Sequence, residues 1–148
     1  MKPFTWKNSI ADVYTSSHGQ TVQTYLSAVI EPSIQALEKE ISVHANNDDP
    51  AAAFAQADTE SLLDETKMAF CLATQSLWER QLRDYLHTCA TDLRSGEGLE
   101  KEALQTNWAE VEALFFKLCG IKINQFPSYE SLTAVHFFRN ACLPGEVG

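Results

Sequence analysis

Basic residues are scarce in this chain, where 11 Lys and Arg face 20 Asp and Glu for a formal net charge of −9. That balance argues against an extended nucleic-acid surface, which needs clustered cations. The shortage is uneven: up to Thr66 only Lys2, Lys7 and Lys39 oppose ten acids, and the remainder is close to balanced. A polyanion would have to be met locally, around Arg80, Arg83, Arg94, Lys117, Lys122 and Arg139. The alternative is that these are solvated helix faces and the acidity serves solubility. Long apolar runs are also missing, and Met1 to Trp6 lacks the charged-then-apolar order of a secretion signal. A cytoplasmic protein that does not enter membranes is expected. The four cysteines (Cys71, Cys89, Cys119 and Cys142) form no Cys-x-x-Cys pair, and no His stands at ligand spacing from another His or Cys. This argues against a zinc site and a disulfide framework and predicts buried free thiols, with no metal and no cofactor. Repeats and low-complexity tracts are absent, and strand-like alternation is nearly so.

What is present is helical periodicity. With 148 residues and 45% hydrophobic content, residues 1–148 are long enough for one domain with a real core. From about Ser17 to Ala45, Val22, Leu26, Val29, Ile30, Ile34, Leu37 and Ile41 recur at helical spacing, with Pro32 predicting a kink or a break. Asn46 to Pro50 reads as a loop and a helix start. An Ala-rich piece, Ala51 to Ala57, leads into a long helix over about Thr59 to Leu93. Ser95 to Gly98 ends it. A third helix is expected from about Leu99 to Leu118, facing Leu104, Trp108, Val111, Leu114, Phe115 and Leu118 inward, with Gly120 as its stop. Ile121 to Phe126 alternates weakly and predicts either a short extended segment or a loop that plugs the core with Ile121 and Ile123. Pro127-Ser128 starts a last helix. The pattern is an all-α, four- to five-helix up-and-down bundle.

Two motifs carry chemistry. The long helix contains Ser76-Leu77-Trp78-Glu79-Arg80-Gln81-Leu82-Arg83-Asp84-Tyr85-Leu86, in which Glu79 with Arg83 and Arg80 with Asp84 are spaced i,i+4. Such pairs contribute only about 0.2–0.5 kcal/mol each and explain the segment structurally. The last helix carries His136, Arg139 and Asn140 and runs into Cys142, Leu143, Pro144 and Gly145. Together these segments resemble the HEPN superfamily of helical domains, many of which are RNA-cleaving toxins and antiviral effectors. The family motif reads Arg, a polar residue, three variable residues, then His. Here Arg139, Asn140, Ala141, Cys142 and Leu143 fit that order, and Pro144 stands where the histidine belongs. The likeness covers roughly Leu62 to Gly145. The chain stops at Gly148, where relatives usually continue, so a fragment or a shortened chain is expected. Pro144 is read either as natural or as a detoxifying change.

The resemblance implies metal-independent endoribonuclease chemistry in toxin–antitoxin or phage-defence systems. It also implies a homodimer whose two motifs share one cleft, an RNA substrate, and an antitoxin or other protein partner. Such cleavage uses the ribose 2′-hydroxyl as nucleophile, so the site must transfer protons and stabilise charge on the phosphorane. Histidine suits the first task, with a pKa of about 6.5. Arginine suits the second, because its planar fork matches phosphate oxygens. Asn140 is expected to orient the phosphate or the arginine. Proline transfers no proton, so the chain is expected to be inactive or weak as it stands. His136 shares the helix with Arg139 and Asn140 at i+3 and i+4 spacing and is the candidate replacement; its alternative role is a half-buried packing residue. His87 lies on the long helix, while His18 and His44 have no supporting context. Arg139 has its own bland reading, an interaction with the last carbonyls of its helix. The alternative function is a non-catalytic helical module for dimerisation or for binding a nucleotide or a protein partner.

Overall fold

A computed structural model describes the backbone of residues 10–105 and 107–142, with side chains placed for residues 11–13, 15–104 and 107–137. The described residues form helices α1 (Ile10–Thr15), α2 (His18–Tyr25), α3 (Glu31–Ala45), α4 (Pro50–Leu93), α5 (Leu99–Gln105), α6 (Trp108–Cys119) and α7 (Tyr129–Cys142). A π-helical turn at Leu26–Ile30 and a 3₁₀ turn at Ile123–Gln125 complete them, and no strand occurs among the described residues. The chain is an all-α helical bundle. Its contacts fall into two compact units, residues 21–74 on one hand and the described parts of 1–20 and 75–148 on the other.

Within residues 21–74, Pro32 does not end the helical run. The chain passes from α2 to α3 through the π turn that lies just before it. Proline lacks an amide hydrogen and its ring crowds the carbonyl four residues back. A wider turn absorbs that conflict by inserting one residue into the helical phase. The inserted residue can be read from burial. Val22 and Tyr25 face the neighbouring helix, but the next inward position is Ile30, 9% exposed, and not Val29, 43% exposed. From Ile30 the stripe runs on through Ile34, Leu37 and Ile41 at alternating spacings of four and three. Ala52, Gln56, Thr59, Leu63, Thr66 and Phe70 repeat the same spacing on α4, which makes a coiled-coil-like seam. The rings of Tyr25 and Phe70 meet edge to face at 6.2 Å. Those two residues lie almost symmetrically about the turn at 46–49, as an antiparallel helical hairpin requires.

The turn itself is built from Asx chemistry. Asn47 Oδ1 accepts from the Asp49 amide at 3.0 Å, and Asp49 Oδ1 accepts from the Ala51 amide at 2.9 Å. Pro50 then occupies the first helical position, where no amide hydrogen is needed. The Ala-rich piece and the long helix predicted separately are one 44-residue helix, α4. No Gly or Pro interrupts residues 51–93, so nothing stops the helix before Arg94.

In the second unit a single core joins Ala11 of α1, Leu86, Cys89 and Ala90 of α4, Leu99 and Ala103 of α5, and Val111, Leu114, Phe115 and Leu118 of α6. The helix expected over 99–118 is two helices. Asn107 accepts from the Glu110 amide at 3.1 Å while the Glu110 carboxylate accepts from the Asn107 amide at 3.1 Å, a capping box that starts α6 afresh. Leu104, expected inside, is 53% exposed. Gly120 stops α6 as predicted, at φ 71° in the left-handed region. The extended segment anticipated at 121–126 is a 3₁₀ turn. Ile123 plugs the core at 7% exposed and Ile121 stays outside at 43%.

Cys89 and Cys119 are buried free thiols, as expected, whereas Cys71 is exposed; the Cys142 side chain lies outside the described residues. Burial pushes the Cys89 thiol up to about 11 and the Cys119 thiol up to about 12. Burial also raises the Tyr85 phenol, which donates to the Cys89 sulfur. Thiolate is the reactive form. Native protein at pH 8 is therefore expected to alkylate at Cys71 within minutes and at Cys89 and Cys119 only after unfolding, as read by peptide mass mapping. The same groups set an alkaline limit. A thiol kept neutral in the fold stabilises it fully below the unfolded value of 9.0, and that share is lost as pH rises through about 11 to 12. Urea midpoints should fall as pH rises from 9 to about 12 and hold level just below pH 9.

Candidate functional site

α7 is positioned from its first turn, where Tyr129 donates to Glu112 Oε1 of α6 at 2.6 Å. That hydrogen bond, the first cause, raises the Tyr129 phenol pKa. Two turns on, His136 is half-buried and lies face to face with Trp108, ring centroids 5.1 Å apart and planes inclined by 28°. Trp108 packs in turn on Trp78 of α4 at 5.2 Å, so the imidazole ends a column of three rings. Gln75, only 1% exposed, brings its Nε2 to 3.5 Å from His136 Nδ1, while its Oε1 is buried without a partner. Turning the amide over would let Oε1 accept from Nδ1–H and would orphan the nitrogen instead. One end of the amide stays unsatisfied either way.

The backbone at Arg139 and Asn140 is helical, and α7 ends two residues later at Cys142. Their side chains lie outside the described residues, and so does Pro144 with the rest of 143–148. Of the three predicted site residues, His136 is thus the one whose surroundings are on view, and they are aromatic and amide in character.

Of the other cations expected to meet a polyanion, Arg80 and Arg83 line one shallow cavity together with Glu79 and Asp84. Arg83 forms the predicted pair with Glu79 at 2.9 Å and also reaches the Ala103 carbonyl at 3.3 Å, tying α5 to α4. The parallel pair between Arg80 and Asp84 is not formed. Arg94 meets Glu97 at 3.3 Å, and Lys122 lies 5.9 Å from the centre of the Phe116 ring.

A second concave place was not predicted. A cavity of about 300 Å³ is lined by Ala11, His18, Asp84, Tyr85, His87 and Thr88. Gln81 Nε2 donates to the His18 carbonyl at 3.4 Å and holds the start of α2 beside α4. His87 Nδ1 lies 3.0 Å from the Glu100 carbonyl, which can only accept, so that nitrogen carries the proton and Nε2 of the neutral ring keeps a lone pair. Spacing alone links Asp84, His87 and Thr88 on one side of α4; nothing in the sequence ties them to His18, 66 residues before Asp84. Among the described residues the lining contains no Lys or Arg. No group of three His, Cys, Asp or Glu able to hold a metal occurs among the described residues, and none of their helices is long and apolar enough to cross a membrane.

Comparison with family models, with curated proteins and with solved structures found no match to the chain.

Proposed function

We propose that this chain is a HEPN-like helical module of endoribonuclease lineage that no longer turns RNA over and works by association. The supporting observation is the seat of His136. The one histidine that shares α7 with Arg139 and Asn140 is stacked on Trp108 and faces the buried Gln75 amide. A general base must stand within hydrogen-bond reach of the proton it takes and be able to turn toward it. A ring stacked in an aromatic column serves packing first. With Pro144 in the motif position and His136 held in its stack, α7 offers no other histidine for proton transfer, while Arg139 and Asn140 keep the residue types that grip a phosphate. The resemblance makes a second copy the partner, the two α7 ends facing each other, with an antitoxin-like protein or RNA bound to the pair.

Single-stranded RNA with a fluorophore and a quencher, incubated with purified chain in EDTA, tests this. The expected result is no cleavage above the buffer control, from the parent or from His136→Ala. His136→Ala should lower the melting temperature through loss of its stacking partners. Cleavage by the parent that disappears in a folded His136→Ala variant would make His136 the working base and refute this reading.

A further inference from the structure

The hairpin of residues 21–74 carries nine acidic side chains against two lysines, and no ion pair forms within it among the described residues. Its seam is also thin. Only Ile30, Ala52 and Leu63 are buried, whereas Val29, Val43 and Leu62 are 43%, 54% and 50% exposed. These exposed residues are ordered. Val29, Ala36 and Val43 recur every seven residues on one helix, and Ala55, Leu62 and Ala69 do so on the other. Seven residues are two turns, so each set forms a straight row. In the antiparallel register fixed by Tyr25 and Phe70, both rows fall on the same flank of the seam. Glu40, Asp58 and Glu65 share that flank by the same spacing and are exposed.

We propose that this flank is a docking surface for a basic amphipathic helix, its apolar side laid along the two rows and its Lys or Arg residues set against Glu40, Asp58 and Glu65. Charge selects the occupant. A second copy of the hairpin would bring its own three carboxylates to the same place, and like charges brought together oppose association. A cationic helix neutralises them while covering Val29, Val43 and Leu62. The surface uses only residues 21–74 and none of α7, so it stands or falls apart from the nuclease lineage.

A fluorescein-labelled 20-residue Leu/Lys amphipathic helical peptide, titrated with the full chain and read by anisotropy, is the probe. A scrambled peptide of equal charge is the control. The ordered peptide is expected to bind at least ~10-fold tighter than the scrambled one, because both carry the same charge and only one has an apolar stripe. Affinity should fall at least ~10-fold between 50 and 300 mM salt. Leu62→Asp, at an exposed position, should weaken it by a similar factor with the circular dichroism spectrum unchanged. The triple variant Glu40→Gln, Asp58→Gln, Glu65→Gln should flatten the salt dependence. Equal binding of both peptides would reduce the surface to plain acidity and overturn the proposal. So would sedimentation equilibrium showing a parent dimer that Leu62→Asp converts to monomer, since the occupant would then be a second copy.

Discussion

Pro144→His is expected to convert an RNA-silent chain into one that cleaves single-stranded RNA at least ~10²-fold faster than the parent, the lower end of what a positioned acid–base group supplies. The expectation follows from what the motif retains and what it lacks. On the proposed reading, Arg139 and Asn140 supply the guanidinium and the amide that would stabilise and orient a phosphorane, functions that need no proton transfer. The missing step is removal of the 2′-hydroxyl proton and its delivery to the departing 5′-oxygen, which no proline performs. An imidazole with a pKa of about 6.5 does both near neutral pH, so the restored rate should bend with pH in that region. Cleavage should persist in EDTA, because the scheme needs no metal. Adding Arg139→Ala to Pro144→His should remove the gain, since the imidazole then works without charge stabilisation. A folded Pro144→His protein that leaves RNA intact would end the endoribonuclease lineage and leave association as the whole of the function. It would not touch the acidic hairpin surface, whose test involves no RNA.

How much of this the sequence disclosed depends on the range of the interaction. Several contacts within two turns are legible, although the Arg80–Asp84 pair of the same spacing does not form. Glu79 and Arg83 pair as their spacing implies, Gly120 ends α6 in the left-handed conformation, and the Asn46 to Pro50 turn begins α4. Each of these rests on local backbone geometry. Pro32 is equally local: its conflict with the preceding carbonyl is real, and a one-residue insertion relieves it without ending the helical run. The capping box at Asn107 and Glu110 was available in the sequence and was overridden by a hydrophobic period that continued through it. Asparagine bonds to nearby backbone more readily than it continues a helix, and at Asn107 that preference prevails.

The candidate site was legible as a list of residue types and not as an arrangement. His136 was chosen for its place beside Arg139, yet what governs it is Trp108, 28 residues earlier, and Gln75, 61 residues earlier. Likewise, Arg83 reads as half of a surface pair, and its second bond, to the Ala103 carbonyl, exists only because α5 folds back on α4. The cavity with His18 and His87 belongs to the same class. Helical periodicity assigns an inward face to each segment without saying which other segment will meet it.

Leu86→Ala should therefore be the most damaging single substitution in the second unit, costing about 2–5 kcal/mol of unfolding free energy. Leu86 is 0% exposed and sits where Ala11, Leu99, Ala103 and Val111, from three different helices, converge on α4. Removing three carbons from that point forfeits their transfer free energy and leaves a cavity that several rigid helices would have to move together to fill. A domain of this size has about 5–15 kcal/mol in total, so the variant should show a clear drop in urea midpoint and partial unfolding at 37 °C. Leu104→Ala, at the residue after Ala103 but 53% exposed, should stay within about 0.5 kcal/mol of the parent. That pair of values also bears on function. Trp108, the shelf for His136, is carried on the helix that Val111 and Leu114 anchor to this core, so loosening Leu86 should release the imidazole from its stack. The His136 ring signals in a ¹H–¹³C spectrum should then lose the shift imposed by the indole in Leu86→Ala and keep it in Leu104→Ala. Equal stability losses in the two variants would mean that the core drawn around Leu86 does not hold α6, and with it the seat of His136, in place.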